Sequence, residues 1–143
     1  MIYDFILTSF LTPRGFRKIR EVNEGTTHFT QYTSDIFSIT VEQYRRYVYA
    51  ILSKVGIEDG GVELYNLIEF AHREQNLKIE NAFFHEDIPL DEAIRKQIEQ
   101  IVSLFETYAS EIEDFFRSDD YLAKTNELRD FVIAQNPNLF RQQ

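Results

Sequence analysis

Cysteine and tryptophan are absent from this 143-residue sequence, which also has only three prolines and five glycines. Without cysteine there is no disulfide framework and no thiolate chemistry, which is compatible with a reducing compartment. No apolar run approaches the roughly 20 residues that a membrane-crossing helix requires. The opening stretch, MIYDFILTSFLTPRGF, lacks a basic leader and a small-residue cleavage site and carries Asp4. It reads as folded structure and not as a signal peptide.

Catalytic signatures are missing as well. There is no Gly-rich phosphate loop, no G-x-S-x-G and no spacing that sets a nucleophile beside a histidine and an acid. Three histidines are too few and too scattered for a metal centre. Glu69 and His72 make one E-x-x-H, the spacing that carboxylate-bridged di-metal bundles use twice, but no second copy exists. His85-Glu86-Asp87 reads as a polar loop. With 24 acidic residues, close carboxylates are expected by composition alone, and acid–base catalysis needs two of them in different environments. The sequence therefore assigns no catalytic residue, no metal ligand and no cofactor, and the expectation is a protein that is not an enzyme.

What is present is aromatic and acidic. Thirteen Phe and eight Tyr, within 43% hydrophobic residues, supply the core of one domain, residues 1–143. The net charge of −9 is unevenly spread: residues 1–55 hold seven Lys/Arg and five Asp/Glu, residues 56–143 eight and nineteen. Such a surface repels nucleic acid and attracts a cationic protein. The one basic cluster, RGFRKIR at Arg14–Arg20, reads as a charged edge strand that discourages unwanted pairing.

The stretch 27–55 organises the chain. Phe37, Ile39 and Val41 alternate with Ser38, Thr40 and Glu42, the period of a half-buried strand, and Ser34-Asp35 marks a turn before it. Residues 44–55 fit two readings. Val41, Tyr44, Val48, Ile51, Leu52 and Val55 share a helical face, with Thr40 and Gln43 as a capping box and Gly56 as the stop. The crowding of β-branched and aromatic residues favours a strand. In residues 16–22, strict alternation would place Arg17, Ile19 and Glu21 on one face and Lys18 and Arg20 on the other, with Asn23-Glu24-Gly25 as a hairpin turn. A short first helix carries Ile2, Phe5, Ile6 and Phe10, and Pro13 with Gly15 breaks it. After the loop Ile57–Gly61, a helix runs from Val62 to about Gln75. Residues 76–88 are irregular, with Phe83-Phe84 needing burial.

A long helix, Leu90–Phe116, would span roughly 40 Å, with Asp87 as its cap and Asp91 and Glu92 in its first turn. Ser118 caps a last helix that Asn136-Pro137 ends. The fold class is α+β: an antiparallel meander of three to four strands over about residues 16–55, a short N-terminal helix and three C-terminal helices, one of them long.

The order SDIFSITVEQYRRYVYAILSK, then GVELYNLIEFA, then IRKQIEQIVSLFETYASEIEDFF resembles small bacterial proteins, some of them similar to immunity proteins of contact-dependent or polymorphic toxin systems. The resemblance covers most of residues 15–120 and lies in hydrophobic spacing. It implies a cytoplasmic inhibitor that occludes a cognate protein toxin.

The residues themselves point the same way: the densest acidic run, Glu106, Glu111, Glu113, Asp114, Asp119 and Asp120, is interleaved with Tyr108, Phe115, Phe116 and Tyr121. An acidic face edged by aromatics suits docking of a basic protein. An adaptor that self-associates as a homodimer through its aromatic-rich sheet is the second expectation, and a small ligand-binding or hydrolytic domain the third.

Overall fold

The computed structural model describes residues 4–58, 60–81, 83 and 85–136. Expectations that fell on Ile2, Asp59, Phe84 and Pro137 lie outside these residues. Five antiparallel strands follow one another in space as they do in sequence: β1 (Arg17–Glu24), β2 (Thr27–Thr33), β3 (Phe37–Tyr44), β4 (Tyr47–Lys54) and β5 (Val62–Glu63). Helix α1 (Asp4–Leu11) precedes the sheet. Helices α2 (Leu64–Ala71), α3 (Leu90–Thr107), α4 (Ala109–Arg117) and α5 (Tyr121–Gln135) follow it. The chain is thus α+β, with a short first helix and a meander of five strands where three to four were expected; Val62–Glu63 is the fifth strand and not the start of a helix, and four helices follow it, one of them long.

Within residues 44–55 the structure has strand and not helix: Tyr44 ends β3 and Tyr47–Lys54 form β4. Val48, Ala50 and Leu52 point inward beside Phe37, Ile39 and Val41, and all six are buried. The opposite face carries Gln31, Thr40, Glu42, Tyr49 and Ile51, which are half-buried. One buried cluster joins the inner face to α1–α5. Rings tie it together: Phe37 stacks on Phe116 at 4.8 Å between centroids and meets Phe16 edge-on at 5.3 Å. The β3–β4 connection is a two-residue turn with Arg45 at φ 56°, a left-handed conformation usually left to Gly or Asn.

Three local expectations are corrected. β1 does not alternate strictly, because its register on β2 slips between Lys18 and Arg20. The extra residue puts Lys18 and Glu21, opposite Tyr32 and Thr30, on the same face, so they sit 3.5 Å apart; Lys18 also reaches Asp4 at 3.0 Å. Burial raises the Asp4 carboxyl, but its bond to Lys18 and that cation's charge outweigh this, and the pKa is lowered. The span Leu90–Phe116 divides at Tyr108, whose φ of −113° and ψ of 26° end α3 and start α4. The caps differ too. Pro89, not Asp87, precedes α3; Asp120 precedes α5, and the Ser118 hydroxyl accepts the Asp120 N–H.

The sheet edge at β4 is closed by a side chain. β5 pairs only with Ile51 and Leu52, leaving the start of β4 open on that side. Gln97 of α3, fully buried, fills the place of a strand there. Its Oε1 accepts the Val48 N–H at 3.0 Å and the Asn81 amide at 2.8 Å; its Nε2 donates to the Arg46 carbonyl at 2.6 Å and to Ala93 at 3.1 Å. The Arg46 guanidinium in turn donates to the His85 and Ile88 carbonyls, fastening the irregular segment before α3.

Candidate functional site

The six acidic residues of the 106–120 run do not share one face. Helical geometry and the break at Tyr108 send them three ways. Glu106 and Glu113, seven residues apart, border a groove beside the turn after α1. Glu111 and Asp114 lie toward α2 and α5, near Phe70, Arg73 and Lys124. Asp119 and Asp120 occupy the turn between α4 and α5. Glu113 is paired with a cation, 3.9 Å from Arg117, and Glu111 lies 3.4 Å from the His72 ring. Glu106, Asp114, Asp119 and Asp120 are exposed and have no ion-pair partner among the described residues. The aromatics interleaved with the run face inward. Phe115, Phe116 and Tyr121 are buried, and Tyr108 is half-buried against the His72 ring. They hold the fold and offer no exposed anchor.

The groove is the larger feature, a depression of about 780 Å³. Its walls come from the end of α1 and the turn after it, the β2–β3 turn, and the α3–α4 break. Ser34 builds the β2–β3 wall: its hydroxyl donates to the Phe37 carbonyl at 3.0 Å, and its oxygen accepts the Ile36 and Phe37 N–H groups at 3.3 Å. Asp35 is thereby held outward at the rim. Gly15, at φ 88°, lets the chain reverse from α1 into β1 and forms the facing lip. Phe16, Phe37, Phe105 and Ile112 supply an apolar floor. Arg14 lies over the Phe10 ring at 3.8 Å and donates to the Phe10 carbonyl at 2.7 Å. The acidic-run reading found Glu106 and Glu113 but not Asp35, which is isolated in sequence from the other acids.

A second feature escaped the sequence reading. Glu63, at the start of α2, accepts the Asn66 N–H at 3.0 Å, capping the helix. Burial pushes its carboxyl up to about 7. Burial, and then the charge of Glu63, also raise the neighbouring Tyr65 phenol, whose hydroxyl is buried without a hydrogen-bond partner. The cleft beside Glu63, about 380 Å³, is closed by α5 through Thr125, Leu128 and Arg129. Glu63 is a helix cap placed beside a covering helix, and the Thr125 hydroxyl in the cleft donates to the Tyr121 carbonyl at 2.8 Å.

No group of three or more His, Asp or Glu among the described residues is placed to hold a metal ion. Glu69 of the E-x-x-H accepts the Ile79 N–H at 2.9 Å, while His72 packs on Tyr108. Among the described residues no helix is long and apolar enough to cross a membrane. In comparisons with known proteins, the chain matches no family model, and no curated protein or solved structure is significantly similar to it.

Proposed function

We propose that this protein is an immunity-like inhibitor that binds a cognate protein toxin, or another basic protein, through its acidic helical half, and neutralises it by covering its surface. One observation carries the reading. On α3 and α4 the cations are paired with neighbouring acids, Arg95 with Glu99, Lys96 with Glu92 and Arg117 with Glu113. Glu106, Asp114, Asp119 and Asp120 remain exposed beside them as uncompensated charge. Such an arrangement accelerates encounter with a cationic surface and disfavours acidic competitors.

The experiment is an affinity series against the product of the neighbouring gene at roughly 50 to 500 mM salt. Affinity should fall steeply with salt, and Glu106→Gln with Asp114→Asn, Asp119→Asn and Asp120→Asn should weaken it. An absence of binding, or an affinity indifferent to salt, overturns the reading. A second reading, homodimerisation through the sheet, is favoured by Tyr44 and Tyr47, paired across β3–β4 and 50% and 48% exposed. Sedimentation velocity over a concentration series, without any partner, separates the two.

A further inference from the structure

We infer that the groove between the α1 turn and the α3–α4 break receives one long-stemmed basic side chain, a lysine or arginine presented by the bound protein. The inference rests on the reading of an acidic helical half and assigns that half its anchor point. The groove is open enough to admit a side chain, and its floor of Phe16, Phe37, Phe105 and Ile112 is apolar. A charged head alone gains nothing from such a floor, whereas a methylene stem packs on it while its head stays at the wet rim.

The rim selects the sign of that head. Glu106 and Asp35 have no ion-pair partner among the described residues. The two rim cations are engaged: Arg14 with the Phe10 carbonyl and ring, Arg117 with Glu113. An acidic head would meet three carboxylates, Asp35, Glu106 and Glu113, against two cations, Arg14 and Arg117. A basic head gains from that excess of negative charge and breaks no ion pair. Stem and head together describe lysine or arginine, and not a short cation or an acidic segment.

The test uses the full chain and a hexa-arginine peptide as probe, followed by calorimetry and by amide chemical shifts. Ala109→Trp fills the groove from an exposed position without altering net charge. It should weaken the peptide roughly tenfold. Asp35→Asn with Glu106→Gln should weaken it clearly more than Asp119→Asn with Asp120→Asn, although both pairs remove two charges. Shifts should concentrate at Gly15, Asp35 and Ala109.

Equal losses from the two pairs, or tryptophan without effect, overturn the groove assignment while salt-dependent binding still upholds the acidic half. No binding of the peptide at low salt overturns both. Hexa-glutamate entering the groove, or a partner-free dimer abolished by Ala109→Trp, also overturns the assignment. Should the tryptophan variant fail to fold, the two charge pairs at exposed positions still decide.

Discussion

Replacing Gln97 with leucine should weaken the protein far more than its conservative volume suggests. The amide is fully buried and serves two backbone groups at the open side of β4, the Val48 N–H and the Arg46 carbonyl. Leucine fills the space but leaves both without a partner. Each buried orphan costs about 1–3 kcal/mol, and the added apolar contact returns about 1 kcal/mol. The expected net loss is therefore about 1–5 kcal/mol, a large share of the roughly 5–15 kcal/mol typical of a domain. Ala93 keeps its helical bond and Asn81 is only half-buried, so neither enlarges the figure. Urea unfolding should show the midpoint falling with an unchanged slope, and hydrogen exchange should accelerate first at Val48. A loss below about 0.5 kcal/mol, with Val48 exchange unaltered, would mean that the amide does not stand in for a strand.

Other consequences are sharper in direction than in size. The Glu63 carboxyl rises from 4.5 to about 7 in the folded chain, so the proton is held more tightly folded than unfolded. Its contribution is complete below pH 4.5 and is lost as pH climbs through about 7, a swing of about 3 kcal/mol. Glu63→Gln should flatten that slope in urea midpoints between pH 4.5 and 8, and an unchanged slope refutes the assignment. Gly61→Ala should cost at least about 2 kcal/mol by the same unfolding assay, since φ is 77° and a Cβ would lie 2.6 Å from the Leu52 carbonyl oxygen. Phe116→Ala, emptying the ring stack on Phe37, should cost about 3–5 kcal/mol in urea unfolding. A smaller loss would show that the ring's place collapses. Arg46→Ala should speed amide exchange at Ile88 more than at Ile39; equal rates would deny the guanidinium its fastening role.

The meander was legible because its central strands, β3 and β4, alternate over a helix-covered face, as Phe37, Ile39 and Val41 do. The break at Tyr108 was not, because the apolar stripe runs on without interruption through Phe105, Tyr108 and Ile112; only backbone angles at one residue divide it. Gln97 was hidden for a related reason. A glutamine in an amphipathic helix reads as a polar-face residue, and its partners lie some 50 positions away in sequence. Among the acids, local density found Glu106 and Glu113 but grouped them with four residues that the helix sends elsewhere. Asp35 joins them only through the β2–β3 turn, and proximity in space leaves no mark on spacing in the chain.

The irregularity at Ile19 bears on how these molecules behave when crowded. β1 is the outermost strand, with its free side toward water, and an even strand there would be a template onto which the same strand of another copy could zip. The extra residue throws the donor and acceptor rhythm out of step midway along, and basic side chains stand on either side of it. Excising Ile19 would restore the rhythm, and the cost would surface as filament growth at high concentration before it surfaced as unfolding.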